Sequence, residues 1–282
     1  MKIELPRKVV LIIKNLQRHG YDAYAVGGCV RDSILNRKPE DWDITTSARP
    51  EQVKVLFHRT VDTGIQHGTV TVLMDRVGYE VTTYRIDGEY EDSRHPKEVT
   101  FTASLQEDLR RRDFTINAMA YNEEAGLVDI FGGIEDISKK VIRCVGDAKE
   151  RFTEDALRMM RAVRFSAQLG YDIEEATRLA ICELSQTLEK ISAERIRTEL
   201  LKLLVSPHPE MLRICRKTGM TAVFLPEFDQ MAQTVQNNPH HCYDVAEHTI
   251  QALIHSAPEK TLRLALLFHD MGKATAAFKA YL

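Results

Sequence analysis

The amino-acid sequence predicts an α+β fold in which a mixed half is followed by a helical half. The chain has 282 residues, of which 44% are hydrophobic and 28% are charged, a balance typical of packed globular proteins. A chain of this length can form about two domains, each with its own core. Segments rich in Val, Thr, Ile and Tyr lie in the first half, whereas helical periodicity dominates after Asp147.

Hydrophobic periodicity assigns the individual elements. Apolar residues at helical spacing between Pro6 and Gly20 predict a helix over residues 6–19. Strands are predicted at residues 24–26, 43–46, 68–74 and 79–85. The polar, aperiodic segment that follows, residues 85–98, predicts a mobile loop. Helices of the second half are predicted at residues 151–168, 173–187, 192–205 and 208–218.

Charge and cysteine content restrict the class of protein. The net charge of −3 excludes a uniformly basic nucleic-acid binder, so any such contact must come from local clusters. The apolar run from Val9 to Ile13 is too short for a signal peptide or a membrane span. We therefore expect a cytoplasmic protein without a membrane partner. Scattered cysteines, odd in number and without C-x-x-C spacing, agree with this: Cys29, Cys144, Cys182, Cys215 and Cys242.

Two carboxylates at the start of a predicted strand indicate a metal site. Asp41 and Asp43 flank Trp42, and alternate residues of a strand point to the same face, ~6.6 Å apart along the chain. Such acids repel unless a cation lies between them, and Mg²⁺ prefers oxygen ligands. Alone, a D-x-D pattern is more often an exposed turn. Glu80 is a further candidate carboxylate, although a glutamate on an edge strand is usually solvated.

A glycine pair upstream of these acids indicates a phosphate site. Gly27 and Gly28 lie between a strand and an apparent helix, where backbone N–H groups can approach a phosphate closely. Arg31 adds a forked cation. A glycine pair by itself is most often a tight turn, but next to Arg31 and the two acids it favours metal-assisted chemistry on a nucleotide.

Two further motifs supply arginines. The segment L-R-R-R-D-F-T-I-N-A-M-A begins at Leu109; its Asp113 suits an N-cap, its Arg112 can reach a triphosphate or ribose, and Asn117 adds a neutral donor and acceptor within a helix.

In the second motif, E-D-A-L-R-M-M-R-A-V-R-F, helical spacing places Asp155 beside Arg158 and Arg158 beside Arg161. Surface ion pairs are the simpler explanation of this pattern. Alternatively, a carboxylate and a guanidinium would accept and donate to the Watson–Crick edge of cytosine or adenine and reject uracil and guanine. Arg164 points away from Asp155 and is the weakest member.

With these motifs in this order, residues 22–205 resemble the bacterial class II tRNA nucleotidyltransferases, which are the CCA-adding enzymes, and the closely similar bacterial poly(A) polymerases. The resemblance rests on G-G-x-V-R-D, D-x-D, R-R-D-F-T-I-N-A, E-D-x-x-R and the later E-R-I-x-x-E, which starts at Glu194. It implies a polymerase-β-like nucleotidyltransferase head followed by a helical neck and body. It also implies transfer of nucleotides from CTP and ATP to tRNA, with release of pyrophosphate.

The resemblance assigns roles to single residues. It places two Mg²⁺ ions on Asp41 and Asp43, which are the catalytic residues. The nucleotide-binding residues that it implies are Gly27, Gly28, Arg31, Arg112, Asn117, Asp155, Arg158, Arg161 and Arg164. Relatives that add only CC lack an element such as residues 85–98, so its presence implies that this chain can add A. We expect tRNA phosphates to be bound by some of the basic residues Arg195, Arg197, Lys202, Arg213, Arg216 and Lys217.

The last segment resembles the start of an HD-type phosphohydrolase domain. His248, His269 and Asp270 are sound ligands for a transition metal, but such a site normally needs another Asp downstream, so we expect it to be incomplete. The predicted domains are a head at 1–146, a neck and body at 147–225 and an incomplete HD-type domain at 226–282.

Two alternatives to CCA addition stay open at this point. One is an A-adding enzyme or poly(A) polymerase, which would share the chemistry of the head. The other is an HD-type phosphohydrolase with an accessory RNA-binding head.

Overall fold

The computed structural model describes residues 1–88, 99–234 and 243–274, which divide into two compact units. The first unit contains residues 1–88, 99–139 and 143–147, and the second contains residues 140–142, 148–234 and 243–274. The first combines a sheet with helices and the second is mainly helical, so the predicted α+β class is confirmed. No helix within the described ranges is long and apolar enough to cross a membrane.

The first unit alternates short helices with strands. Its helices are α1 (Arg7–Arg18), α2 (Gly28–Ile34), α3 (Pro50–Leu56), α4 (Leu105–Arg110) and α5 (Gly133–Lys139). Its strands are β1 (Ala23–Val26), β2 (Ile44–Thr46), β3 (Thr60–Gly64), β4 (Thr69–Met74), β5 (Val77–Thr83), β6 (Arg85–Asp87), β7 (Val99–Phe101), β8 (Met119–Asn122) and β9 (Gly126–Asp129).

A seven-stranded sheet organises this unit in the order β3-β4-β5-β2-β1-β8-β9. Neighbouring strands are antiparallel except β2 and β5, which run parallel with Ile44 opposite Val81. Asp75 and Arg76 connect β4 to β5 and both have positive φ, +50° and +67°. Two such residues form the type I′ turn that matches the twist of a hairpin.

The predicted loop at residues 85–98 is wrong at its start. Residues 85–87 form β6, which pairs with β7 in a separate two-stranded ladder. Cross-strand backbone hydrogen bonds order this polar segment, and such pairing cannot be read from periodicity alone. Residues 89–98, which carry the rest of the predicted loop, lie outside the described residues.

The second unit consists of helices around one small ladder. Its helices are α6 (Ala148–Glu154), α7 (Leu157–Leu169), α8 (Glu175–Leu184), α9 (Ala193–Leu204), α10 (Leu212–Lys217), α11 (Thr221–Phe224), α12 (Pro226–Ala232), α13 (Val245–Ile254) and α14 (Lys260–Phe268). The ladder pairs β10 (Val141–Ile142) with β11 (Asp172–Ile173) in parallel.

The single helix predicted at residues 151–168 is wrong, because the chain breaks between α6 and α7. Asp155 lies in the break, and its Oδ1 accepts a hydrogen bond from the N–H of Leu157 at 3.0 Å. An aspartate side chain can compete in this way for the free N–H groups of a starting helix. The apolar periodicity continues across the break, which is why the sequence pattern shows one helix.

The core of the first unit includes Phe114, which is fully buried. Replacing Phe114 with Ala is expected to destabilise this unit by about 3–5 kcal/mol, since the change removes buried apolar surface and leaves a cavity. Urea unfolding followed by the fluorescence of Trp42, the one tryptophan of the chain, measures the effect. Val55→Ala is the control, since Val55 is 85% exposed and its truncation should stay within about 0.5 kcal/mol. Equal midpoints for the two variants would contradict this core assignment.

Candidate active site

The two acids of the D-x-D motif lie in the connection before β2 and not within a strand, so the predicted strand placement is wrong. The backbone of Asp43 is nevertheless held in place, because its carbonyl oxygen accepts from the N–H of Val26 at 3.0 Å. This bond ties Asp43 to the end of β1, where Gly27 begins the turn into α2. Asp41 and Asp43 are both exposed, so their carboxylates are accessible to solutes.

Glu80 lies near Asp41 and Asp43, and the three residues are called the acidic cluster. Its strand, β5, lies between β4 and β2, so the assumption that Glu80 sits on an edge strand is wrong. Ile44 of β2 pairs with Val81 of β5, and the two strands are parallel. Asp43 directly precedes Ile44 and Glu80 directly precedes Val81, so the two acids lie at neighbouring positions. The sequence could not show this, because strand order depends on pairing between distant segments.

The charges of the cluster perturb one another. Crowding by protein atoms raises the pKa of Asp43, although the residue as a whole is exposed; the Arg112 charge opposes this effect and the Asp41 charge adds to it. Burial also raises the pKa of Glu80, and the charges of Asp43 and Asp41 raise it further. Three neighbouring carboxylates with mutual repulsion form a site that favours a cation.

The glycine pair forms the turn between β1 and α2. Gly27 has φ +84°, a conformation that other residues rarely adopt. A Cβ added at Gly27 would lie 3.2 Å from Nη1 of Arg112, so glycine also allows close approach of this guanidinium. The glycine turn and Arg112 are therefore neighbours, as the phosphate-site hypothesis requires.

Arg31 and Asn117 form a buried pair beneath this turn. Nη1 of Arg31 donates to Oδ1 of Asn117 at 2.8 Å, and Nε donates to Asp32 at 2.9 Å. Asn117 in turn donates to Oδ1 of Asp113 at 3.2 Å. The prediction of a helix around Asn117 is wrong, since Thr115–Asn117 form a single 3₁₀ turn before β8. The sequence-predicted contact between Arg31 and phosphate stays a prediction.

Arg112 is held by a buried acid that sequence reasoning missed. Asp108, in the last turns of α4, is fully buried and accepts from Nη2 of Arg112 at 3.3 Å. It also accepts from Nε and Nη2 of Arg111 at 2.9 and 2.8 Å. The spacing of three and four residues between Asp108 and these arginines is the signal that could have indicated the contact.

The helical unit places Asp155 and Arg158 differently from the sequence prediction. Oδ2 of Asp155 accepts from Nη2 of Arg195 at 2.9 Å. Nη1 of Arg158 donates to Glu154 at 2.6 Å and to the carbonyl oxygen of Arg151 at 3.2 Å. The expected side-by-side arrangement assumed one continuous helix, and the break at Asp155 turns its carboxylate towards α9 instead.

Glu199, on α9, binds the two remaining arginines of α7. Its carboxylate accepts from Nε of Arg164 and lies 4.0 Å from Nη1 of Arg161. Both guanidinium groups stack near the ring of Phe165, at 5.3 Å for Arg161 and 3.8 Å for Arg164. Arg195 and Glu199 belong to the E-R-I-x-x-E motif, so this motif holds the acid and the arginines of the E-D-x-x-R segment in place.

A separate cluster of possible metal ligands lies at the end of the described chain. Ligand atoms of His248, His269 and Asp270 all lie within 4.8 Å of one another. Nε2 of His269 is 3.3 Å and Nε2 of His248 is 3.9 Å from Oδ2 of Asp270. The same oxygen lies 2.7 Å from Nζ of Lys273. The three residues predicted from the sequence therefore come together, with a lysine beside the shared carboxylate.

Comparison with known families identifies the two units. Residues 23–143 match the model of the Poly A polymerase head domain. Residues 170–231 match the model described as a probable RNA and SrmB-binding site of polymerase A. The chain belongs to the family of CCA-adding enzymes and poly(A) polymerases. This confirms the family resemblance seen in the sequence, and the first unit is the nucleotidyltransferase head of that family.

Curated relatives and solved structures agree with this assignment. The CCA-adding enzyme of Leuconostoc mesenteroides is 56% identical over 209 residues, which cover 73% of this chain and 52% of the relative. That of Enterococcus faecalis is 55% identical over 194 residues, 69% of this chain and 48% of the relative. This chain thus spans about half the length of the curated relatives that it matches.

Among solved structures, the Bacillus stearothermophilus CCA-adding enzyme in complex with CTP has a TM-score of 0.80 and 39% identity, covering 96% of this chain and 64% of that one. A tRNA nucleotidyltransferase complexed with a primer tRNA and an incoming ATP analogue has a TM-score of 0.67 and 25% identity, covering 94% of this chain and 80% of that one.

Membership of this family implies a divalent metal site in the head. The acidic cluster fits such an ion, because its donors are carboxylate oxygens, the ligands that Mg²⁺ prefers, and because crowding and mutual repulsion raise the pKa of Asp43 and of Glu80. Asp43 and Glu80 come from adjacent segments of the sheet, so the donor set is fixed by strand pairing.

Crowding of Asp43 by protein atoms, together with the charge of Asp41, makes the ionised form of Asp43 unfavourable in the folded head. The folded-state pKa of Asp43 is above its ordinary value of 3.8, so the folded head binds more protons than the unfolded chain, and the Asp43 charge costs stability as pH rises above that value. Asp43→Asn should therefore raise the urea midpoint at pH 7, and this gain should shrink towards pH 4.

Glu51→Gln, on the exposed face of α3, is the matched removal of one carboxylate and should give no such gain. A lower midpoint for Asp43→Asn at pH 7 than for the unaltered chain would show that the carboxylate stabilises the head.

Proposed function

We propose that this chain carries the catalytic and nucleotide-selecting parts of a CCA-adding enzyme, which extends the 3′ end of tRNA with CTP and ATP. The observation that carries the proposal is the acidic cluster next to Arg112 and the glycine turn, in a chain of which 96% matches a CTP-bound CCA-adding enzyme. Acids, a guanidinium and close-approaching backbone together suit a nucleoside triphosphate with its metal.

In the proposed reaction, the 3′ hydroxyl of tRNA loses its proton to solvent, and its oxygen attacks the α-phosphorus of the nucleotide in line with the leaving group. The bond from the α-phosphorus to the bridging oxygen breaks, and pyrophosphate leaves with its electron pair. Mg²⁺ bound by Asp41 and Asp43 would lower the pKa of the attacking hydroxyl and neutralise the triphosphate. Asp41 and Asp43 would hold the ions, with Glu80 as an added carboxylate.

The cationic groups of the head would orient the triphosphate. Nη1 of Arg112 lies against the glycine turn, where a guanidinium can donate to phosphate oxygens. Gly27 and Gly28 leave room for that approach. Arg31 and Asn117 bind each other. They would contribute to triphosphate binding through the shape and charge of the protein surface around the glycine turn.

Base selection is proposed for the segment at the start of α7. Asp155 accepts from Leu157 and Arg195, and a carboxylate has about four lone-pair sites, so it can still accept from the exocyclic amine of cytosine or adenine. Arg158 would donate to the ring nitrogen beside that amine. Arg161 and Arg164 are held by Glu199 and would assist by keeping this segment rigid.

Binding of tRNA is proposed for exposed basic residues of the helical unit. Two of the sequence candidates are already in ion pairs, Arg195 with Asp155 and Arg213 with Glu247 at 2.5 Å. The other four are exposed: Arg197, Lys202, Arg216 and Lys217. All lie within residues 170–231, the segment that matches the RNA-binding model of the family.

Incorporation of single nucleotides separates CCA addition from A addition. With tRNA lacking its CCA end, CTP alone should be incorporated and UTP and GTP should be rejected, and ATP should be added after two C residues. Asp41→Ala should abolish all incorporation, whereas Asp155→Ala should weaken discrimination against UTP by about 10-fold or more, since each lost hydrogen bond to a base edge costs about 1–3 kcal/mol. The assay follows radiolabelled product on a gel.

Incorporation of ATP but not CTP would identify a poly(A) polymerase or A-adding enzyme instead, a second candidate that the name of the matched head model favours. Glu183→Ala, an exposed acid on α8 that pairs with Lys149, is the control for loss of a carboxylate and should leave incorporation unchanged.

We also propose that His248, His269 and Asp270 bind a transition metal weakly, as the start of an HD-type domain at residues 226–282 would. Titration with Co²⁺, followed by visible absorption, should show binding that His269→Ala abolishes. His255→Ala is the matched control, because Nδ1 of His255 contacts a backbone carbonyl oxygen at 2.8 Å, as Nδ1 of His269 does at 2.6 Å. Equal Co²⁺ binding by both variants would remove this assignment.

A phosphohydrolase activity of that segment would survive Asp41→Ala. Cleavage of a 2′,3′-cyclic phosphate by the Asp41→Ala protein, lost on His269→Ala, would favour the HD-type alternative over the nucleotidyltransferase as the main function.

A further inference from the structure

Asp108 is an acid whose burial needs an explanation. It is fully excluded from solvent, and an aspartate is almost never fully buried unless it is paired. Burial alone raises the pKa of Asp108, but the charges of Arg112 and Arg111 and hydrogen bonds from Arg111 and Thr45 outweigh it, and the pKa is lowered. The head therefore keeps a negative charge under its surface with two arginines around it.

The two carboxylate oxygens of Asp108 accept hydrogen bonds from different residues. Oδ1 accepts from Nε and Nη2 of Arg111. Oδ2 accepts from Nη2 of Arg112 at 3.3 Å and from Oγ1 of Thr45 at 3.0 Å. Thr45 belongs to β2, which starts one residue after Asp43. One oxygen thus joins the Arg112 guanidinium to the strand that follows the acidic cluster.

Arg112 is anchored through Nη2 by Asp108, while its Nη1 lies against the glycine turn. Within the described residues, its buried Nε has no hydrogen-bond partner, and its Nη1 lies where a Cβ of Gly27 would be 3.2 Å away. A flexible arginine loses rotamer entropy when it is fixed, and an anchor that removes this cost in advance improves binding of a ligand.

We propose that Asp108 is a positioning residue that fixes the Arg112 guanidinium against the glycine turn, where it meets the triphosphate of the incoming nucleotide. The inference rests on the proposed function, since it names the part that holds that nucleotide in place. An asparagine at 108 has one acceptor oxygen and an NH₂ group. That NH₂ group would face a guanidinium or a hydroxyl, so one anchor is lost while the shape of the side chain is kept.

The test compares Asp108→Asn with Asp136→Asn. Asp136 is a matched control because it is also buried, at 4% exposure, and also accepts from a threonine and an arginine, Thr115 at 2.6 Å and Arg143 at 3.2 Å. Both variants should lose stability on urea unfolding. Only Asp108→Asn should raise the KM for CTP and for ATP, by about 10-fold, with kcat within about 3-fold of the unaltered chain.

A double-mutant cycle with Arg112→Ala shows whether Asp108 acts through Arg112. In the Arg112→Ala background, Asp108→Asn should change the KM for CTP by less than about 2-fold. A further 10-fold rise in that background, or an equal KM change for Asp136→Asn, overturns the inference and leaves the proposed function intact.

Equilibrium dialysis of labelled CTP with Mg²⁺ gives the same comparison without catalysis. Weaker binding by Asp108→Asn than by Asp136→Asn supports the inference even if incorporation into tRNA is slow. If the unaltered chain neither binds CTP nor incorporates it, the proposed function and this inference both fall.

Discussion

Crowding of like charges is the constraint around which the head is built. Parallel pairing of β2 with β5 sets Ile44 opposite Val81 and so brings Asp43, which lies just before β2, beside the strand that carries Glu80. The mutual repulsion of these acids is partly offset by Arg112, whose charge opposes the raised pKa of Asp43. The acids come from β5 and from the connection before β2, the counter-charge comes from Arg112 just after α4, and α4 supplies its anchor, Asp108.

In the helical unit, buried positive charges are balanced by carboxylates, as Arg112 balances negative charge in the head. Here the buried groups are arginines: Arg158 and Arg164 are 9% and 6% exposed. Each has a carboxylate from a neighbouring helix: Glu154 of α6 for Arg158 and Glu199 of α9 for Arg164. A buried guanidinium without such a partner would be costly. The α9 motif therefore fixes where the arginines of α7 can point.

The sequence predicted the fold class and the main motifs but not their local geometry. Periodicity located α1 and four of the seven sheet strands, β1, β2, β4 and β5, to within a few residues, because burial of one face produces that periodicity. It failed at Asp155, where a side chain competes with the helix for backbone N–H groups without disturbing the apolar spacing. It also failed at Glu80, which was assumed to lie on an edge strand, because the neighbours of a strand depend on strand order.

Asp108 shows a further limit. A charged residue in a short helix usually faces solvent, and only the arrangement of Thr45, Arg111 and Arg112 around it makes burial favourable. Pairing between segments more than 60 positions apart decides this, as the Thr45 contact does over 63 residues. The local pattern could indicate the two arginines, which lie three and four residues after Asp108, but it carries no information about the contact with Thr45.

The course of the chain between the two units limits how they can be separated. Residues 140–142 belong to the helical unit, whereas 143–147 return to the head before α6 begins. A cut after residue 147 would leave β10 on a fragment that lacks its partner strand β11, and would expose unsatisfied backbone groups there. Modular exchange between relatives therefore has to move residues 140–142 together with β11, and recombination at a single crossover point between head and helices would produce poorly folded chimeras.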